Sequence, residues 1–367
     1  MKSYRFLISG GGTGGHIYPA ISIADELSKK FNSSEILFVG SSNRMEMKKV
    51  PESGYNIKGL WISGIKRKLH FSNLLVPLKI IHSLIKSYLI IKKFKPDFVI
   101  GTGGFASGPI VYIASKLKVP TLIQEQNSYA GLTNKILSKS VELICVAYDN
   151  MNNFFPSNKI FCSGNPVRKE IAESKASKQE SDDFFNITRP AKVLLILGGS
   201  LGAKTINEFI SKNLIFFKEK DIDIIWQCGK LYYSSYKKYF SKKVKIFPFI
   251  KDMSKAYAAA DYIISRSGAS VISELCIVAK PVIFIPSPNL AEDHQTKNAL
   301  NIVKKNAAVM VKEKDLNKLF FSVFNKIIND ENYSNQLSKS IKLLAKPDAT
   351  YKIVEQIKRR LKNGNKL

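Results

Sequence analysis

The chain has 367 residues, 45% of them hydrophobic and 23% charged, which excludes wholesale disorder and allows a large buried core. A length prior of roughly 100–200 residues per domain points to two domains. The net charge of +28, from 57 Lys and Arg against 29 Asp and Glu, calls for nucleic acid, an anionic membrane or a lysine-rich background as its explanation.

The opening "MKSYRFLISGGG" carries an apolar run too short for a signal peptide, and no later run reaches the roughly 18 residues that span a bilayer. Along the chain, "YRFLISG" (4–10), "EILFVG" (35–40), "PDFVIGTGG" (96–104) and "PTLIQEQN" (120–127) are short apolar runs ending in glycine or polar residues, each predicted as a strand. Segments with helical spacing, such as "PAISIADELSKKF", lie between them, so a parallel, doubly wound sheet is expected, with ligands at the carboxyl ends of its strands. From Ser53 to Pro96 there is no carboxylate, whereas Lys58, Lys66, Arg67, Lys68, Lys79, Lys86, Lys92, Lys93 and Lys95 all fall there. Within that stretch, residues 72–95 set Lys79, Lys86 and Lys93 seven apart on one helical stripe among large apolar side chains. Such a basic amphipathic helix suits a membrane surface; the alternative is a core helix with solvated lysines. Pro77 and the lysines argue against spanning.

After "CSGNPVRKEIAESKASKQESDDFFNITRP", whose polar second half reads as surface loop, the layout restarts. "AKVLLILGGSLGAKTINEFI" is again strand, glycine-rich turn and helix, and "DIIWQCG", "VKIFPFI", "ADYIISRSG" and "KPVIFIPS" continue as strands. The expected organisation is two similar α/β domains, residues 1–166 and 167–342. Residues 343–367 follow as a helical segment returning towards the first. Cys145, Cys162, Cys228 and Cys276 lie far apart with no CxxC pair, so neither a zinc site nor a disulfide framework is indicated, and a reducing compartment fits best.

The two glycine loops pose the functional question. Gly10, Gly12 and Gly15 satisfy G-x-G-x-x-G between a strand and a helix, a spacing that admits a pyrophosphate to backbone amides. A dinucleotide site would also place an acid about 20 residues on, for a ribose. Val39, Gly40, Ser41 and Ser42 stand there instead, and no Walker lysine follows either loop. Glycine turns after strands also serve packing alone. One loop per domain, facing a shared cleft, suits a ligand with a central diphosphate and different ends, such as a nucleotide-sugar. "DID" at 221–223 imitates a metal-binding D-x-D but precedes an apolar strand far from the loops; it reads as a strand entrance, and no metal is expected.

"GGTGGHIYPA", "GTGGFASGPIVYIASKLKVPTLIQEQNSYAGLTNK", "GNPVR", "GGSLGAKTIN", "SRSGASVISELCIVAKPVIFIP" and "EDHQTKNA" occur in this order between about Phe6 and Ala308. Together they resemble the MurG family of peptidoglycan N-acetylglucosaminyltransferases. The resemblance implies the GT-B fold, in which two Rossmann-like domains face a cleft. It further implies inverting transfer of N-acetylglucosamine from UDP-N-acetylglucosamine to undecaprenyl-diphospho-N-acetylmuramoyl-pentapeptide, at the cytoplasmic face of the bacterial inner membrane, without a cofactor.

The resemblance also implies roles for residues. Thr13, Gly14 and Gly15 would contact the donor, with His16 as general base; a helix-capping or phosphate-positioning role is the plainer reading of His16. Asn127 would contact the sugar, with Glu125 beside it as reserve base. Arg168 and Ser200 match donor-site positions beside the leaving diphosphate, although Arg168 would equally serve an interdomain salt bridge. The turn amides from Ser267 to Ser270, Ala269 among them, open a helix suited to phosphate. Glu274 matches a ribose-binding carboxylate, Gln295 a sugar contact and Ile250 a uracil-side backbone contact; His294 is read as support. Partners are then UDP-N-acetylglucosamine, the undecaprenyl-linked acceptor and, through Lys79, Lys86 and Lys93, an anionic membrane. No nucleic-acid motif appears. The alternatives are another nucleotide-sugar enzyme such as a UDP-N-acetylglucosamine 2-epimerase, then a nicotinamide oxidoreductase, and, in a different class, a non-catalytic basic membrane or nucleic-acid binding module.

Overall fold

The computed structural model describes residues 3–64, 74–199, 201–288 and 291–364. The chain divides into two compact units: unit one holds Met1–Arg168 and Lys346–Leu367, and unit two holds Lys169–Ala345.

Unit one is built on a parallel sheet of β1 (Tyr4–Ser9), β2 (Ser34–Ser41), β3 (Asn56–Leu60), β4 (Phe98–Gly101), β5 (Thr121–Glu125), β6 (Leu143–Val146) and β7 (Ile160–Cys162). Its order is β3-β2-β1-β4-β5-β6-β7. The strands read as unbroken apolar runs because both faces are covered. Phe6 and Ile8 point to one face, where they share a core with Ile17, Ala20, Ala24 and Leu27 of the helix Gly14–Lys30 and with Ile353, Val354 and Ile357 of the helix Ala349–Gly364. Leu7 points to the other, among Ile90, Ile91 and Phe94 of the helix Val76–Phe94 and Ile110, Val111 and Ala114 of the helix Ser107–Lys116.

Unit two repeats the plan with β8 (Lys192–Leu197), β9 (Ile222–Gln227), β10 (Val244–Phe247), β11 (Tyr262–Ser265), β12 (Val282–Phe284) and β13 (Val309–Met310), all parallel, in the order β10-β9-β8-β11-β12-β13. One side of its core is aromatic, with Phe209, Phe217, Trp226, Phe320 and Phe324 packed together. In each sheet the chain winds outward from a central strand and then returns to that strand's other side. The loops after β1 and β4, and after β8 and β11, therefore part to opposite faces and leave a crevice at the strand ends.

The doubly wound sheets are those expected from the sequence, with two departures. β3, β6, β7 and β13 were not anticipated; β3, β7 and β13 sit at or near sheet edges, where short runs carry little apolar signal. The polar segment read as surface loop contains the helix Lys178–Phe185, started by a capping box between Ser177 and Glu180 and anchored by buried Phe185. The helix Val76–Phe94 buries Ser83 and Ser87 with Val76, Ile90, Ile91 and Phe94, whereas Leu78, Ile81, Ile85 and Leu89 are 58, 56, 58 and 59% exposed. Residues 65–73, which hold Lys66, Arg67 and Lys68, lie outside the described residues.

Candidate active site

The opening glycine loop of unit one runs from the end of β1 into the helix Gly14–Lys30, with Thr13 at the extended N-cap position. His16 lies in the first helical turn, half-buried. Its Nδ1 is 3.1 Å from the Gly11 carbonyl oxygen and 3.2 Å from Thr13 Oγ1. A carbonyl oxygen only accepts, so a hydrogen bond to Gly11 forms in the tautomer with the proton on Nδ1 and the lone pair on Nε2, whereas the Thr13 hydroxyl fits either tautomer. The turn after β4 forms the opposite wall. A Cβ on Gly104 would lie 2.3 Å from the Gly11 oxygen, and one on Gly103 2.9 Å from the imidazole Cδ2, so only a bare backbone admits the ring here. Thr102 ties the two turns together by donating from Oγ1 to the His16 carbonyl at 2.8 Å.

The loop after β5 is organised by Glu125. This carboxylate is 2% exposed and accepts from the Asn127 N–H (3.0 Å), the Asn127 amide (3.2 Å), the Gly131 N–H (3.0 Å) and the Asn134 amide (2.8 Å). With four donors on its two oxygens, Glu125 braces the loop. Asn127 is thereby fixed at the strand end. Below it, buried Gln126 donates to the Thr102 carbonyl at 2.7 Å, and Asn165 of "GNPVR" accepts from Gln124 at 2.9 Å and donates to the Gln126 carbonyl at 3.1 Å. Three of the sequence blocks are therefore one hydrogen-bonded unit. Arg168 is half-buried at the last position of this segment of unit one.

In unit two the second glycine loop follows β8. A Cβ on Gly202 would lie 2.1 Å from the Cys228 carbonyl oxygen, so the loops after β8 and β9 are stacked backbone on backbone. Burial pushes the Cys228 thiol up from its ordinary value, which disfavours a nucleophilic thiolate. Gln227 joins the loops by donating to the Gly199 carbonyl (3.1 Å) and accepting from the Ile250 N–H (2.9 Å). Ile250 is thus left with its carbonyl as the backbone group for a ligand. Ser200 lies outside the described residues.

The turn after β11 leads into the helix Ala269–Val278, whose N-cap, Gly268, supplies no side-chain hydrogen bond. A Cβ on Gly268 would project into open space. Ser267 is pinned behind it: its hydroxyl donates to the Gln295 carbonyl at 2.9 Å. The Gln295 side-chain oxygen accepts from the Ser287 N–H at 2.9 Å, which leaves its NH₂ as the donor end. Glu274 is 5% exposed, and the Tyr257 hydroxyl donates to its Oε2 at 2.9 Å. A phenol hydroxyl that donates to a carboxylate oxygen fixes the orientation of the carboxylate, so Tyr257 orients Glu274. Ile250, Ser267, Ala269, Glu274 and Gln295 all come from the strand-end side of this one sheet.

Sequence reasoning passed over Glu46, Gln124, Gln126, Gln227 and Tyr257. None carries a local signal, because the bonds that tie each to another loop span 17 to 41 residues. "DID" holds no ligand geometry: Asp221 pairs with Lys243, and Asp223 with Lys245 at 3.2 Å, across the β9–β10 pair. Among the described residues no group of three His, Cys, Asp or Glu side chains is placed to hold a metal.

Comparison with known proteins gives two family matches, to the glycosyltransferase family 28 N-terminal domain over residues 6–146 and to the glycosyltransferase family 28 C-terminal domain over residues 193–357. A relative from Flavobacterium psychrophilum is 54% identical over 358 residues, 97% of this chain and 98% of its own length. Another, from Christiangramia forsetii, is 51% identical over 99% of both. Both are named UDP-N-acetylglucosamine--N-acetylmuramyl-(pentapeptide) pyrophosphoryl-undecaprenol N-acetylglucosamine transferase. Among solved structures, MurG of Acinetobacter baumannii matches with a TM-score of 0.76 and 28% identity over 97% of this chain and 99% of that one. UDP-GlcNAc 2-epimerase from Neisseria meningitidis, bound to UDP-GlcNAc, matches at 0.69 and 16% identity over 98% and 100%, a likeness of fold alone.

Proposed function

The chain belongs to glycosyltransferase family 28, and from that membership we infer that it transfers N-acetylglucosamine from UDP-N-acetylglucosamine to undecaprenyl-diphospho-N-acetylmuramoyl-pentapeptide in peptidoglycan synthesis. The observation that carries this reading is the near full-length identity to curated transferases of that name. The two switch-point crevices support it.

The chemistry is assigned as follows. The acceptor hydroxyl attacks the anomeric carbon while the bond from that carbon to the UDP oxygen breaks, which inverts the centre. The proton passes to His16 Nε2, the lone-pair nitrogen in the tautomer that the Gly11 carbonyl selects. Thr13, Gly14, Gly15 and Asn127 contact the transferred sugar, and Gln295 adds the NH₂ end of its amide. UDP departs with negative charge on its diphosphate. The amides at the start of the helix Ala269–Val278, together with Arg168 and the loop containing Ser200, stabilise it as fixed dipoles and a cation. Glu274, oriented by Tyr257, accepts from the ribose hydroxyls. The Ile250 carbonyl receives a uracil N–H.

The helix Val76–Phe94 is the membrane contact in this proposal. Among the described residues no helix is long and apolar enough to cross a membrane. Leu78, Ile81, Ile85 and Leu89 instead form one exposed stripe, with Lys92 and Lys93 exposed towards the helix end. Burying such side chains in an acyl boundary is favourable by about 1 kcal/mol or more each, and each lysine near an anionic leaflet adds about 1 kcal/mol. Lys79 serves differently from Lys93: it donates to Ser63 at 3.0 Å and stands over the Trp61 ring. In the same proposal this surface meets the cytoplasmic leaflet of the inner membrane, which a lipid-linked acceptor and a nucleotide-sugar donor together support.

Incubation with labelled UDP-N-acetylglucosamine and the muramoyl diphospholipid tests the reaction. Label on the lipid is expected; epimerised donor without transfer would overturn it. His16→Ala should lower turnover roughly 100-fold or more with donor affinity nearly intact. Unchanged turnover would remove His16 as base.

A further inference from the structure

We propose that Glu46 is a positioning residue for His16, acting through the Gly11–Gly12 peptide group, so that the imidazole is held with its proton on Nδ1. The inference rests on His16 as base and adds what sets its tautomer. Glu46 is fully buried, at the start of the helix Glu46–Glu52 that follows β2. Its Oε2 accepts from the Gly12 N–H at 3.1 Å and its Oε1 from the Ser41 N–H at 2.9 Å.

The Gly12 N–H and the Gly11 C=O are the two ends of one planar peptide group, pointing in opposite directions. Glu46 binds the first end, and His16 Nδ1 lies 3.1 Å from the second. The carboxylate, the peptide and the imidazole are thus hydrogen-bonded in series, and each bond polarises the next. An acid at the N–H end makes the carbonyl a stronger acceptor, which favours Nδ1–H and raises the basicity of Nε2.

The glycines around this series are placed for it. A Cβ on Gly11 would lie 2.2 Å from Glu46 Oε1, and one on Gly40 would lie 2.5 Å from Glu46 Cγ. Gly11 is not one of the three glycines of the G-x-G-x-x-G spacing, so a dinucleotide-type loop does not account for it. The approach of the Glu46 carboxylate does. Glu46 also joins the end of β2 to the loop after β1, which fixes the peptide plane that His16 reads.

The test uses the full-length protein with ¹⁵N-labelled histidine, the His16 signals being assigned by their loss in His16→Ala. Neutral His16 should carry its proton on Nδ1. In Glu46→Gln the side-chain amide brings an N–H against one of the two backbone donors. The tautomer should shift towards Nε2–H, and kcat should fall roughly tenfold or more, as part of the ~100- to 10,000-fold that general-base catalysis supplies, while the donor KM stays within about twofold. Glu46→Asp, which keeps the charge, should restore part of both. A wild-type His16 protonated chiefly on Nε2 would overturn the proposal without recourse to any variant, and so would a folded Glu46→Gln enzyme with tautomer and kcat unchanged. Full turnover in His16→Ala alongside an Nδ1–H tautomer would overturn the base reading alone.

Discussion

Three glutamates, at the end of β5, at the start of the helix Glu46–Glu52 and within the helix Ala269–Val278, sit among different hydrogen-bond donors. Glu125 is saturated by two backbone and two side-chain N–H groups and shapes a loop. Glu46 takes one backbone N–H on each oxygen and orients a peptide. Glu274 accepts from the Tyr257 hydroxyl on Oε2 and is the carboxylate assigned to the ribose. Glu274→Ala should therefore raise the donor Michaelis constant roughly 10- to 150-fold, the range for losing a hydrogen bond to a charged group worth about 1.5–3 kcal/mol. Tyr257→Phe should raise it by about fivefold, since it frees the carboxylate to rotate without removing it. Titration with UDP checks both; affinity untouched in Glu274→Ala would end the ribose assignment. Sequence placed Glu125 and Glu274 alike, near a strand end and near a helix start; the four donors that converge on Glu125 are visible only in the folded chain.

The helix Val76–Phe94 shows how far periodicity reaches. Its spacing announced an amphipathic helix, but not which face would be covered. Small Ser83 and Ser87 allow a close approach to the unit-one core, with Ser83 donating to the Trp61 carbonyl at 3.1 Å, so the bulky aliphatic residues are turned outward. An exposed row of this kind is expected of a surface that meets lipid or a partner. Ile85→Glu should cut co-sedimentation with anionic vesicles about tenfold or more, by removing a buried apolar side chain and adding a charge of the wrong sign. Transfer to a short-chain, water-soluble acceptor should remain. If vesicle binding persisted in the variant, the membrane would have to be met elsewhere.

The chain builds the same doubly wound sheet twice and then contributes its last helix to the first of them. Ile353, Val354 and Ile357 of the helix Ala349–Gly364 are almost wholly buried with Phe6, Ile8 and Phe98, and Lys30 pairs with Glu355 at 2.6 Å at the rim. Unit one is therefore incomplete without residues more than 180 positions downstream of its other strands and helices. Ile357→Ala should destabilise it by about 2–5 kcal/mol, the usual cost of emptying a buried isoleucine site. Urea denaturation would show this as an earlier midpoint; a change below about 0.5 kcal/mol would mean that the helix is not a structural part of that core.

Sequence by itself determined the α/β class and the repeat of the strand–glycine–helix layout. These depend on local pattern: apolar runs buried on both faces, glycines where a loop must turn, and polar residues at strand ends. Tertiary structure alone decided how each of these carboxylates is hydrogen-bonded, and which face of the basic helix meets solvent. Those outcomes depend on hydrogen bonds and packing between segments that are remote along the chain but adjacent across a parallel sheet. Glu46 and Gly12, 34 residues apart, meet only because β1 and β2 end side by side.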